Sequence, residues 1–239
     1  MEVIVKQQMP LPIANLPRFA FDNYLTGENA ELLFRLKNLS PIESSHKKPI
    51  FIYCGDEAVG KSHLLHASYQ KIQSQGYNTT FLDLNSLVDY PPMILEQMEQ
   101  LDVIFIDHLD AIVGKREWEV ALFDLINKVL EREKGLIVLT SRTIPALTEF
   151  SLPDLKSRLM WGDTIKIVPL NNDDKQAYFM MKAKERGFKL TEDVTKYLIN
   201  RIARDTKTLN TWLDKLDEVS LQEKRKLTIP LLKQLLDIV

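Results

Sequence analysis

The segment Gly55-Asp56-Glu57-Ala58-Val59-Gly60-Lys61-Ser62 constrains this chain more than any other part of its sequence. It fits the eight-residue phosphate-loop pattern and has the flanks that pattern needs, the apolar run Ile50 to Cys54 before it and a helical stretch after it. The spacing has a physical reason. Two glycines let the backbone curl so that successive N–H groups converge on phosphate oxygens, and a helix starting near Lys61 adds the positive end of its dipole. Lys61 supplies a mobile cation to the β- and γ-phosphates, and the Ser62 hydroxyl is a ligand for Mg²⁺. Such loops work at the carboxyl ends of strands in open α/β sheets, so the motif already selects a fold class.

The rest of the chain has a matching pattern. Short apolar runs recur at Ile50 to Cys54, Thr80 to Leu84, Val103 to Ile106, Leu136 to Leu139 and Ile165 to Val168, as expected of strands buried on both faces of a parallel sheet. Ser62 to Gln75 and Trp118 to Arg132 have the length of crossover helices, and another helix is predicted from Thr26 to the stop at Ser40-Pro41. After Pro169 the strand-like runs cease. Asp173 to Arg186 is closed by Gly187, Thr191 caps a helix running to about Arg204, and Leu209, Trp212, Leu213, Leu216 and Val219 trace one apolar face. Thr228 opens a last helix. The predicted organisation is an extended arm over 1–15, a three-layer α/β core with a parallel sheet over 16–169 and a small all-helical domain over 170–239.

Charge and cysteine usage narrow the partners. With Lys+Arg 31 against Asp+Glu 33 the net charge is -2, which gives no overall attraction to a phosphate backbone and disfavours stand-alone DNA binding. The single Cys54 cannot form an intramolecular disulfide, which suits a reducing cytosol. No stretch approaches the roughly 18 apolar residues of a membrane span, and the first residues lack the layout of a signal peptide. A cytoplasmic protein with no membrane partner is expected.

Val103-Ile104-Phe105-Ile106-Asp107 is an apolar strand that delivers a carboxylate at its C-terminal end, where Asp107 would complete a Mg²⁺ shell with Ser62. The alternative is an ordinary strand-end Asp in a turn. In many phosphate-loop ATPases of the additional-strand class the next residue is a carboxylate that polarises the attacking water, but here it is His108. Imidazole has a different reach and a reference pKa of about 6.5, so weak intrinsic hydrolysis is expected unless Asp110 or another carboxylate takes over.

Several further segments carry a family resemblance. Phe21-Asp22-Asn23-Tyr24 with Gly27 and Asn29, the extended loop Gly60-Lys61-Ser62-His63-Leu64-Leu65-His66, Trp118-Glu119 with Phe123-Asp124-Leu125 and Asn127, and Leu155-Lys156-Ser157-Arg158-Leu159-Met160-Trp161-Gly162 together resemble the DnaA-related AAA+ family, in particular its Hda-like regulatory branch. The resemblance implies a AAA+ core followed by a helical lid. It implies an adenine-side contact from Phe21, Asn23 and Tyr24, a phosphate site from Gly55 through His63, and a sensor 2 contact from Lys207, which stands where the family usually has Arg. It also implies that Arg158 is an arginine finger reaching toward a neighbour's γ-phosphate, against the plain alternative of a surface Arg paired with Asp154 at i, i+4 spacing. Arg142, after Thr140-Ser141, stands where relatives commonly have an acidic residue near sensor 1.

The arm gains a reading from the same resemblance. Gln8-Met9-Pro10-Leu11-Pro12-Ile13 is similar to the peptides that dock on the bacterial sliding clamp of DNA polymerase III. Leu11 and Ile13 would fill an apolar pocket, Pro12 would pre-order the backbone, Met9 would replace the usual Leu, and Gln8 would anchor the other end. The resemblance thus implies a negative regulator of replication initiation that joins the clamp to the DnaA initiator and stimulates hydrolysis of initiator-bound ATP, holding ADP or ATP with Mg²⁺ itself. DNA would be met only indirectly, and a homo-oligomer stays open. A DNA-stimulated initiator or helicase-loader ATPase and a small-molecule phosphate-loop kinase are the alternatives. The first needs a DNA-reading element, for which 239 residues leave no room beyond arm, core and lid.

Overall fold

The apolar runs become β1 (Ile50–Cys54), β2 (Thr79–Asp83), β3 (Val103–Asp107), β4 (Leu136–Ser141) and β5 (Asp163–Lys166) in a computed structural model that describes residues 19–41, 48–202, 206–223 and 227–237. All pairings are parallel, and the strand order is β2-β3-β4-β1-β5. Side chains alternate across the pleat, so the strands buried on both faces feed two cores. On one face Ile52, Ile104, Ile106 and Leu139 meet Leu84 of α3 (Leu84–Leu87), Trp118, Leu122 and Leu125 of α4 (Arg116–Glu131), and Leu155 and Leu159 of α5 (Pro153–Trp161). On the other, Phe51, Tyr53, Phe105 and Val138 meet Leu32, Leu33 and Leu36 of α1 (Ala30–Lys37) and Leu64, Leu65 and Ile72 of α2 (Lys61–Ser74). Each such buried side chain contributes about 1.5–3 kcal/mol, which holds the P-loop strand β1 rigid beneath the loop.

Several boundaries differ from the sequence expectation, and the helix predicted from Thr26 begins only at Ala30. The fifth strand lies at Asp163–Lys166 rather than 165–168, because it is an edge strand with alternating exposure, and Ile167 is buried as the chain leaves the sheet, its N–H donating to the Cys54 carbonyl at 2.7 Å. β2 ends at Asp83, whose carboxylate accepts from the Asn85 N–H and caps α3, so Leu84 is helical. The helix capped by Thr191 ends at Ile199 instead of continuing to about Arg204. Burial on both faces holds for β1, β3 and β4 and not for the edge strands β2 and β5.

The helical part consists of α6 (Asn172–Glu185), α7 (Glu192–Ile199), α8 (Thr206–Glu223) and α9 (Ile229–Asp237). Asn171 caps α6 by accepting from the Asp174 N–H at 2.8 Å, and Thr191 caps α7. Phe179, Leu198, Leu209, Trp212, Leu213, Leu216 and Leu232 form a core separate from the two sheet faces. Asn29 stitches the chain where this domain begins: its side-chain amide donates to the Val168 carbonyl at 2.9 Å and its oxygen accepts from the Val168 N–H at 2.8 Å.

Candidate functional site

The loop after β1 folds back over the start of α2. Ala58 and Gly60 both take left-handed backbone angles, φ 59° and 94°, which turns successive N–H groups in one direction. Gly60 caps α2 without a side-chain hydrogen bond, so the first N–H groups of that helix are left for an anion. Tyr24 lies against this turn: a Cβ at position 60 would stand 2.7 Å from its Cε2, and its hydroxyl donates to the Val59 carbonyl at 3.4 Å. Burial pushes the Tyr24 phenol up to about 12, which keeps it a neutral donor.

Lys61 is 7% exposed, and its Nζ donates to the carbonyls of Gly55 at 2.8 Å and Asp56 at 2.7 Å. Burial lowers its pKa, with Asp110 and Asp107 pulling the other way. Asp107 is buried at the tip of β3, where one carboxylate oxygen accepts from the Thr140 hydroxyl of β4 and from the His108 N–H. Ser62 lines the cleft above. A hydroxyl and a carboxylate are hard oxygen donors of the kind Mg²⁺ takes alongside nucleotide phosphates and water, but Asp107 itself stands outside the residues that line the cleft. Among the described residues no cluster of His, Cys, Asp and Glu forms an all-protein metal cage.

Side chains beyond β3 and β4 are engaged with one another. His108 takes a left-handed conformation at φ 59°, and its Nδ1 donates to Asp83 at 2.9 Å. Burial would raise the Asp83 pKa, but hydrogen bonds from His108, Ser86 and Asn85 outweigh it and the net shift is downward. Asp110 accepts from the Arg142 N–H at 3.0 Å and pairs with the Arg142 Nε at 3.1 Å, while the far end of that guanidinium reaches Glu57 of the loop at 3.5 Å. Arg142 thus ties the end of β4 to the phosphate loop.

A cleft of about 1190 Å³ opens over the loop and runs between core and helical domain. Asn23, Tyr24, and Glu57 through His63 line it, as do Phe19, His108 and Arg142. From the helical side come Tyr178, Lys182, Arg186 and Asn210, which sequence reasoning missed because none of the four belongs to a motif. Lys182 spans the cleft, donating to the Asn23 carbonyl at 3.2 Å and pairing with Glu185 at 2.9 Å. Phe21 stands outside the lining, packing toward the α1–α2 core with Lys37 over its ring. Gly55 and Asp56 meet the site through the carbonyls that hold Lys61. His63 anchors the chain entering the site, its Nε2 donating to the Ala20 carbonyl at 2.9 Å, and Phe19, His66 and Phe81 stack beside it. Lys207 lies in α8, and its side chain falls outside the described residues, as do Gln8, Met9, Leu11, Pro12 and Ile13.

Arg158 is elsewhere. It is exposed on the outer side of α5, beside a depression lined by Phe123, Asp154, Ser157, Met160 and Trp161 that shares no residue with the loop cleft. Among the described residues it makes no ion pair, with Asp154 or any other carboxylate. Met160 and Trp161 beside it are 55% and 54% exposed.

A parallel sheet with β4 inserted between β3 and the loop strand, followed by a helical lid that closes one side of the cleft, defines the AAA+ class of phosphate-loop module. Residues 16–166 match the bacterial DnaA ATPase domain and residues 172–236 match the lid domain of Hda. The chain belongs to the bacterial DnaA ATPase-domain family, with a lid of the Hda type. Solved structures agree in fold. Domain III of the Thermotoga maritima replication initiation protein DnaA superposes with a TM-score of 0.72 at 21% identity, covering 90% of this chain and 93% of that one. AMPPCP-bound DnaA from Aquifex aeolicus gives 0.69 at 22% identity, covering 87% of this chain and 66% of that one. The Thermotoga maritima RuvB Holliday junction branch migration motor gives 0.68 at 13% identity, covering 92% and 71%.

Proposed function

We propose that this protein is a regulatory member of its family: it binds ADP or ATP in the cleft between core and lid, docks on the sliding clamp through its arm, and uses Arg158 to promote hydrolysis of ATP held by the DnaA initiator. In this reading residues 1–15 are the arm, 16–169 the nucleotide-binding core and 170–239 the lid, and Lys207 approaches the phosphates from α8. The observation that carries it is the isolation of Arg158. Among the described residues this exposed guanidinium has no ion pair, and it lies beside Met160 and Trp161 away from the loop cleft, which supports a role toward charge on another molecule rather than on its own nucleotide. A finger of this kind spreads two donors over equatorial phosphate oxygens and contributes about 10³–10⁵ in rate.

The surroundings of the loop support a nucleotide used as a conformational ligand. His108 replaces the expected carboxylate and donates a hydrogen bond from Nδ1 to Asp83, while Asp110 is held by Arg142. Asp110 is thus engaged by a cation, and an imidazole has a different reach from the carboxylate it replaces, which favours weak intrinsic turnover. Adenine nucleotide is supported by the loop geometry and by the AMPPCP in the Aquifex aeolicus relative. Near-neutral charge fits a protein brought to DNA by another protein, and tethering at the clamp would raise the effective concentration of a weak contact with the initiator.

The test compares the protein's own ATP turnover, with and without DNA, with its stimulation of initiator-bound ATP hydrolysis on DNA-loaded clamp. The proposal expects negligible DNA stimulation of the former and clamp-dependent stimulation of the latter, lost on deleting residues 1–13. Substantial DNA-stimulated turnover would favour an initiator or loader ATPase instead.

A further inference from the structure

Glu119 is the least expected side chain near Arg158. It is a carboxylate with 0% exposure, and no cation pairs with it among the described residues. A buried charge is tolerated only where hydrogen bonds replace its water. Here three backbone N–H groups do so. One oxygen accepts from Gly114 at 2.7 Å and Ser151 at 3.1 Å, and the other accepts from Leu152 at 2.7 Å. Arg116, one turn earlier on α4, takes the Ser151 carbonyl at 2.8 Å. The first turn of α4 therefore grips Ser151-Leu152 from both its donor and its acceptor sides. Leu152 is the N-cap of α5 and makes no side-chain cap bond of its own, so this grip is what sets the entry angle of the helix.

We infer that Glu119, assisted by Arg116, is a positioning residue that aims Arg158, an inference that rests on the reading of Arg158 as a finger acting on a partner. Leu155 and Leu159 fix the inner side of α5 and leave Arg158 on its outer side. From Leu152 to Arg158 the helix rises about 9 Å, so a tilt of about 10° at the entry moves the guanidinium anchor by roughly 1.5 Å. A misplacement of about 1 Å can cost on the order of 10²-fold in a reaction that depends on orientation. Glu119 touches neither nucleotide nor partner in this account and acts through Arg158. Gly114 lies in the segment that follows Asp107, His108 and Asp110, so the same carboxylate holds that segment and the Arg158 helix at one point.

Glu119→Gln keeps the side chain's volume but leaves only one oxygen to accept, so either the Leu152 bond or the Gly114 and Ser151 bonds are lost. Three measurements on the full chain test the inference: clamp-dependent hydrolysis of initiator-bound ATP at saturating protein, the concentration giving half-maximal stimulation, and amide hydrogen exchange. The saturated rate should fall about 10- to 100-fold. The half-maximal concentration should change less than about threefold, since a positioning fault affects the reaction rather than the association. Exchange at Ser151 and Leu152 should quicken while β1 and α2 keep their protection. Arg116→Ala, on an exposed side chain, should lower the saturated rate in the same direction by a smaller factor. Full stimulation by Glu119→Gln while Arg158→Ala is inactive would overturn the inference and leave the finger reading standing, as would a loss confined to the half-maximal concentration. Full stimulation by Arg158→Ala would overturn the finger reading itself, and unchanged exchange at Ser151 and Leu152 would refute the positioning geometry whatever Arg158 does.

Discussion

Replacing Gly60 with alanine tests how the phosphate loop is held. The residue sits at φ 94°, and a Cβ there would stand 2.7 Å from the Tyr24 Cε2 and 3.4 Å from its Cδ2. A left-handed backbone costs a non-glycine residue about 1–2 kcal/mol. Overlap with a half-buried ring adds about 1–3 kcal/mol, so Gly60→Ala should destabilise the fold by about 2–5 kcal/mol. The two contributions separate in a double-mutant cycle. In a Tyr24→Ala background the ring is gone and only the backbone cost remains, giving a coupling of about 1–3 kcal/mol between the two positions. Guanidinium unfolding of the four proteins, followed by tryptophan fluorescence, reads it out. An equal cost of Gly60→Ala in both backgrounds, or a cost below about 1 kcal/mol, would refute the contact between the N-terminal segment and the loop as drawn here.

Two further outcomes follow from the site. Lys61→Ala removes the buried ammonium from the loop and should weaken ADP binding about 10- to 100-fold by calorimetry, the range of one charged hydrogen-bonding group, so unchanged affinity would contradict the phosphate-site reading. Burial lowers the pKa of His63 from its usual 6.5, against an opposing effect of the Ala20 carbonyl, so the unfolded chain takes the proton first. Its contribution to stability is fully present above pH 6.5 and is lost as pH falls through the folded-state pKa, with a slope of at most about 1.4 kcal/mol per pH unit. Melting temperature across that window should fall less steeply in His63→Gln than in the unaltered protein, and an equal slope would remove His63 from the account.

How much of this was legible beforehand follows from the range of each interaction. The phosphate loop, Asp107 and the strand runs were readable because they are local patterns of sequence with a fixed chemical purpose. β5 slipped by two residues because an edge strand needs only one apolar face, and its pattern Asp163-Thr164-Ile165-Lys166 alternates where a buried strand would not. Tyr178, Lys182 and Asn210 were not legible, since what brings them to the cleft is the packing of the lid. Glu119 shows the same limit more sharply: nothing in Trp118-Glu119 says that three N–H groups, two of them more than thirty residues away, converge on its carboxylate. The engagement of Arg142 with Asp110 and Glu57 is likewise a tertiary fact, and it gives that departure from the family pattern a physical place.

If Arg158 acts on another molecule's nucleotide, its loss is read in single-turnover hydrolysis of ATP bound to the DnaA initiator in the presence of DNA-loaded clamp. With Arg158→Ala, stimulation should fall by about 10³-fold or more. The variant's own affinity for ADP and its melting temperature should stay as they were, because Arg158 is exposed and lines no part of the loop cleft. Stimulation equal to that of the unaltered protein would contradict that role for Arg158.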